Sequence, residues 1–195
     1  MRARLAIAAS GINVHLREVV LRDKPKAFLA ASPSATVPCL QVADGSSIDE
    51  SLDIMLWALR QNDPGGWLDM PEEGFDLIAV SDGPFKQALD RYKYASRHPE
   101  SDPAEERGKG AEFLVALEGR LKGHDWLLGD RPTLADMAIL PFVRQFAHVD
   151  LDWFTMQDWA ALRNWLDRFK GSARFQAIMP KFPQWQPGAA EIAFP

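Results

Sequence analysis

Strand-like patterning is confined to the first third of the chain and disappears after residue 73, and this change of period divides the sequence into two domains of different class. Residues 2–10 place Leu5, Ala6, Ala8 and Ala9 near helical spacing, with Gly11 as the stop. Val14, Leu16 and the run Val19-Val20-Leu21 read as a strand. Pro25 suits a helix's first turn, and Lys26 to Ala31 continue that helix until Ser32-Pro33 ends it. Val37 to Val42 reads as a second strand, Ala43-Asp44-Gly45 as a tight turn and Ser46-Ser47-Ile48 as a short partner strand, which makes a hairpin. From Asp49 a helix takes over with Leu52, Met55, Leu56 and Leu59 on one face, and Asn62-Asp63-Pro64-Gly65-Gly66 stops it.

The expected organisation is therefore a small α/β domain over 1–62, a linker over 63–73 and an all-helical domain over 74–195. Helices are expected over 75–97, bent near Gly83-Pro84, and over 103–122, where Phe113, Leu114, Leu117 and Leu121 share a face. Three more follow over 133–148, 156–170 and 172–179, and Pro180 to Pro195 has no clear period and should wrap the surface. At 195 residues, 47% of them apolar, the chain is long enough for two small cores.

The net charge of −5 argues against a nucleic-acid partner, because a phosphate backbone is concentrated by basic faces. Charge is nevertheless segregated. Residues 1–30 carry six Lys/Arg against two acids, and residues 41–82 carry ten acids against Arg60 alone, so part of the surface could attract a small anion. The single cysteine, Cys39, excludes an internal disulfide and fits a reducing compartment, so a cytoplasmic location is expected. No apolar run approaches the roughly 20 residues of a membrane span, and Leu5 to Ala9 is too short for a signal peptide's apolar region, so no membrane association is expected. His15, His98, His124 and His148 share no i,i+4 spacing, and no metal is expected.

Three short segments carry the possible chemistry. Pro38 lies where a strand begins. A trans bond makes it a strand opener, whereas a cis Val37-Pro38 bond turns the Val37 N–H and C=O outward to pair with an extended peptide. Ser47-Ile48-Asp49-Glu50 matches a capping box at the start of a helix. The same helix start, with the Ser51 hydroxyl, could instead hold a ligand carboxylate while Glu50 holds an ammonium, together the head of an α-amino acid. Thr133-Leu134-Ala135-Asp136 is a second capping box, assigned to folding, and Cys39 reads as a core residue.

Asp23-Lys24-Pro25, Thr36-Val37-Pro38 and Asp49-Glu50-Ser51 in a small α/β unit, followed by Thr133-Leu134-Ala135-Asp136 in a helical half, together resemble the cytosolic glutathione transferases, with bacterial and omega-like, cysteine-type members the most similar. The resemblance spans essentially the whole chain. It implies an α/β plus all-α architecture, with a thioredoxin-like N-terminal domain that binds glutathione as co-substrate and a helical C-terminal domain that supplies the pocket for a small hydrophobic or disulfide second substrate. It also implies a homodimer. Carried over by position, Val37 beside cis-Pro38 pairs with the cysteinyl part of glutathione, Glu50 and Ser51 hold the γ-glutamyl amine and carboxylate, and Lys24 lies near the glycine carboxylate. Phe85, Leu89, Tyr92 and Trp153 are the candidates to line the second-substrate pocket.

Family members place a strand and a loop bearing a catalytic Cys, Ser or Tyr before the helix that Arg2-Ala3-Arg4-Leu5 resembles, and this sequence starts at that helix, so no catalytic residue is assigned within it. The expectation is that this strand and loop are encoded upstream, the start having been read late or the chain shortened; a fold that dispenses with the strand is the third alternative. Either conjugation or thiol exchange follows if the loop is supplied, and a non-catalytic glutathione-binding or scaffold protein if it is not.

Overall fold

The structure, a computed structural model, describes residues 1–195. In chain order the elements are α1 (Arg2–Ser10), β1 (Val14–Leu16), α2 (Lys26–Ala31), β2 (Leu40–Gln41), β3 (Ser47–Ile48), α3 (Ser51–Gln61), α4 (Glu73–Val80), α5 (Lys86–Lys93), α6 (Pro103–Leu121), α7 (Leu134–Ala147), α8 (Leu151–Met156), α9 (Ala160–Gly171), α10 (Ala173–Ile178) and β4 (Ile192–Phe194). They form two compact units, Met1–Gly66 together with Ala173–Pro195, and Trp67–Ser172.

In the first unit α1 packs against α3. Leu5 and Ala6 on α1 and Ile54, Met55, Ala58 and Leu59 on α3 are buried, each large side chain contributing about 1.5–3 kcal/mol of apolar transfer. Leu52 and Leu56, expected on that face, are half-buried at its margin. Gly11 ends α1 in the left-handed conformation, φ +68°, and returns its N–H to Ile7 O at 3.1 Å. The Asn62 side chain donates to Ser10 O at 2.7 Å, which satisfies an end carbonyl of α1 and ties it to the end of α3.

The strands are shorter than the apolar runs that predict them. β2 and β3 form the expected hairpin, Leu40 opposite Ile48, with Gly45 at φ +87° and Asp44 Oδ1 accepting from the Ser46 N–H at 2.8 Å. The ladder does not extend back to Val37, because Pro38 has no N–H to give it. The first strand is limited to Val14–Leu16, since the chain turns at Val20, whose carbonyl accepts from Asp23 N–H at 2.9 Å.

β1 pairs antiparallel with β4, from the far end of the sequence. The tail that leads there is fastened along its length. Trp185 N–H donates to Glu18 O at 2.9 Å, and Gln184 Nε2 donates to Asp23 Oδ2 at 3.0 Å. Arg4 forms an ion pair with Glu18, and its guanidinium lies 5.3 Å from the Phe182 ring centroid and 6.0 Å from that of Phe194. The expected 74–195 domain is corrected accordingly: residues 173–195 pack with the α/β unit, because their partners are Arg4, β1 and the 17–23 loop.

In the second unit Trp67 is fully buried and its carbonyl accepts the Leu134 N–H at 2.9 Å, so the end of the expected 63–73 linker is part of the helical core. The helix predicted over 75–97 is divided at the predicted place. Pro84 cannot donate to the carbonyl four residues back, and Ser81–Phe85 form a π-helical turn between α4 and α5. α7 is the buried centre of the unit and starts with the predicted capping box, in which Thr133 N–H and hydroxyl donate to Asp136 Oδ2 at 2.8 and 3.0 Å. Asp136 Oδ1 accepts from Leu127 N–H at 2.9 Å and from the Trp165 indole at 3.0 Å, which joins α7 to α9 and to the preceding loop. Burial pushes the Asp136 carboxyl up, and these donated bonds pull it back. No helix is long and apolar enough to cross a membrane.

Candidate functional site

The residues singled out at 37–38 and 50–51 lie at two ends of one construction. Glu50 occupies the N-cap position of α3 in extended conformation, but the capping box predicted from Ser47 to Glu50 does not form, and no side chain caps the helix. The first helical bond runs from Ile54 N–H to Glu50 O at 3.0 Å, so the Ser51, Leu52 and Asp53 N–H groups have no acceptor within the chain. The Glu50 carboxylate is exposed and makes no ion pair.

Beside that helix start sits a cation that sequence reasoning missed. Arg2, 5% exposed, directs Nη1 at Ser51 Oγ over 3.5 Å. The positive end of the α3 dipole and a guanidinium thus coincide at one hydroxyl, an arrangement suited to a carboxylate. The contact spans 49 positions, and nothing local to Arg2 announces it.

The loop leading to Val37 is held from the same helix start. Asp49 Oδ1 accepts from the Ser32 hydroxyl at 2.8 Å and Oδ2 from the Ser34 N–H at 3.0 Å. Those bonds, the Ser34 N–H first and the Ser32 hydroxyl next, hold the Asp49 carboxyl down at about 2. Within the loop the Ser34 and Thr36 hydroxyls lie 2.6 Å apart, and Ala35 adopts φ +54°. The chain then delivers Val37, 43% exposed, whose bond to Pro38 is cis and whose own N–H and C=O have no partner within the chain.

Lys24 is half-buried and unpaired, on the segment that Gln184 holds through Asp23; no hydrogen bond or ion pair joins it to the start of α3. Cys39 is half-buried with its thiol 3.8 Å from Ala31 O. Burial first and then the neighbouring Asp49 carboxylate push that thiol up, opposite to the direction that would activate it.

The four second-substrate candidates divide differently from expectation. Phe85, Leu89 and Tyr92 are buried in the helical unit, 2%, 0% and 9% exposed, and do not present a wall to an open cleft. Phe85 packs 5.0 Å from Phe113 and 5.6 Å from Phe146, and Tyr92 lies 5.2 Å from Phe146, so their surface is spent on the core. Only Trp153 is half-exposed, with the Arg107 guanidinium 4.5 Å from its ring centroid. A polar groove of about 770 Å³ between residues 118–130 and the start of α9 contains none of the predicted site residues.

Comparison with known proteins places this chain in a family. The model described as "Glutathione S-transferase, N-terminal domain" matches residues 1–61, and the one described as "Glutathione S-transferase, C-terminal domain" matches residues 86–168. The chain is 27% identical over 160 residues to maleylacetoacetate isomerase of Pseudomonas aeruginosa, covering 72% of this chain and 73% of that protein. It is also 27% identical over 157 residues to valine–tRNA ligase of Mus musculus, where the match covers 71% of this chain and spans 12% of that much longer protein. Among solved structures, BphK, a bacterial GST in a ternary complex, superposes with a TM-score of 0.76 at 21% identity, covering 91% of this chain and 92% of that one. A sphingomonad glutathione S-transferase complexed with glutathione superposes with a TM-score of 0.75 at 22% identity, covering 91% of each chain. At these identities the structural likeness establishes the fold, a thioredoxin-like N-terminal part followed by a helical C-terminal part.

Proposed function

This chain belongs to the glutathione S-transferase family, and from that premise we propose that its α/β unit grips glutathione and that the protein is a transferase for the tripeptide's sulfur. The observation that carries the reading is the uncapped start of α3 beside an unpaired main-chain edge at Val37. Glutathione bears two carboxylates and one ammonium. The γ-glutamyl carboxylate goes to the Ser51 hydroxyl, the free N–H groups of α3 and Arg2; the ammonium goes to Glu50. The cysteinyl amide pairs with the Val37 N–H and C=O, as an added strand does, and Lys24 attracts the glycine carboxylate.

In this reading the second substrate is a small hydrophobic electrophile or a disulfide, the first taking the sulfur by conjugation and the second by thiol exchange through a mixed disulfide. The working species is a cytoplasmic homodimer. A second reading is a glutathione-binding module without turnover; the one cysteine of this sequence, Cys39, has its thiol pushed up and offers no ready nucleophile for thiol exchange. Calorimetry with reduced glutathione tests the shared part. Ser51→Ala is expected to weaken binding by about 1–3 kcal/mol, the cost of a hydrogen bond to a charged group; unchanged affinity returns Ser51 to a structural role. Turnover of an aryl halide or of a mixed disulfide then selects the transferase, and binding without either selects the module.

A further inference from the structure

Asp49 joins the two halves of the proposed glutathione cradle, and no task in the preceding reading falls to it. In sequence it immediately precedes Glu50 and Ser51. In space its two carboxylate oxygens reach back 17 and 15 positions to Ser32 and Ser34, at 2.8 and 3.0 Å. The Ser32–Thr36 loop has few other holds. Ser32 N–H donates to Phe28 O at 2.9 Å, which ties the loop's first residue to α2; the remaining bonds, Ala35 N–H to Ser32 O at 3.1 Å and Thr36 N–H to Ser34 Oγ at 3.2 Å, are internal, and so are the hydroxyl contacts among Ser32, Ser34 and Thr36. They shape the loop but do not fix it to α3. Ala35 at φ +54° is a conformation that a residue with a Cβ keeps only where its surroundings hold it.

We infer that Asp49 is a positioning residue, which sets the spacing between the main-chain edge at Val37 and the start of α3 so that both grip one tripeptide at once. The inference rests on the glutathione reading. It makes a claim that reading does not: a ligand touching both places gains from a link made before binding, whereas one touching only the helix start gains nothing. Losing two charge-assisted hydrogen bonds should free the loop without removing any group that touches the ligand.

Two probes separate the halves. Glutathione spans both, and γ-glutamylmethylamide carries only the amino-acid head. In calorimetry on the full chain, Asp49→Ala is expected to weaken glutathione roughly tenfold and to leave γ-glutamylmethylamide within about twofold. Asp49→Asn, which keeps one acceptor oxygen, should fall between. Hydrogen exchange on the unliganded variants is the second measurement: Asp49→Ala should speed exchange in residues 33–37 while α3 stays protected. Equal losses for the two ligands, unchanged glutathione affinity, or exchange that rises equally in α3 each overturn the inference. Wild-type protein that binds neither ligand refutes the glutathione reading itself, and the inference with it.

Discussion

Replacing Asp136 by alanine is expected to destabilise the protein by about 3–5 kcal/mol. The carboxylate is fully buried and accepts four hydrogen bonds, from the Leu127 N–H, the Trp165 indole, and the Thr133 N–H and hydroxyl. Alanine strands the first three donors, while the hydroxyl can rotate to another acceptor. At about 1–3 kcal/mol for each buried unpaired group the gross cost exceeds the expected value. It is partly offset because a carboxylate that burial disfavours has also been removed. Asp136→Asn refines the estimate. Its amide oxygen can keep Leu127 and Trp165, and its NH₂ then faces the Thr133 N–H, leaving one conflict worth about 1–3 kcal/mol. Urea unfolding followed by tryptophan fluorescence measures both, and for a chain of this size alanine should lower Tm by roughly 10 °C. An alanine cost under about 1 kcal/mol, or asparagine as damaging as alanine, would refute the assignment of this network as the junction of α7, α9 and the intervening loop.

Two glycines of the helical unit should behave oppositely. A Cβ on Gly110 would lie 2.5 Å from Cε2 of Phe146, a ring enclosed by Phe85 and Tyr92, so Gly110→Ala should cost about 1–3 kcal/mol in the same unfolding assay. A Cβ on Gly74 meets mainly the flexible Met70 side chain, and Gly74→Ala should cost less; the reverse order would contradict the packing. Cys39 should alkylate slowly with iodoacetamide at pH 8, and Asp49→Asn, by removing a negative neighbour, should shift the rate profile to lower pH; an unmoved profile would deny the coupling. Asp49 titrates in the folded protein near 2, below its ordinary 3.8, so its contribution is complete above about pH 4 and is lost as pH falls toward 2. An NMR titration with the Asp49 carboxyl midpoint near 4 would contradict its bonds to Ser32 and Ser34.

What could be read from the chain was what neighbouring residues decide. Thr133 and Asp136 carry their capping box within four positions, Asp44-Gly45 sets its own turn, and Pro84 interrupts a helix wherever it stands. The helix start at Ser51 and the edge at Val37 were legible for the same reason. Arg2 against Ser51 and Asp49 against Ser34 were not, because each depends on chain segments that only folding brings together. Helical period marked Phe85, Leu89 and Tyr92 as apolar-face residues but could not say whether another helix or a ligand would cover them. The allegiance of residues 173–195 escaped for a related reason: a three-residue strand has too little pattern to reveal that its partner lies near the other terminus.

That pairing of β4 with β1 has a consequence for how the protein is made. On the ribosome β1 emerges before the helical unit, yet its partner β4 follows only after that whole unit has been translated. At about 5–20 residues per second, the delay over the roughly 175 residues between Leu16 and Ile192 is on the order of 10–35 s. Throughout it the nascent β1 lacks β4, and other unpaired strands can reach that edge first. Slower elongation through the helical unit should therefore lower the yield of correctly closed protein, and coexpressed chaperones that shield nascent edges should restore it.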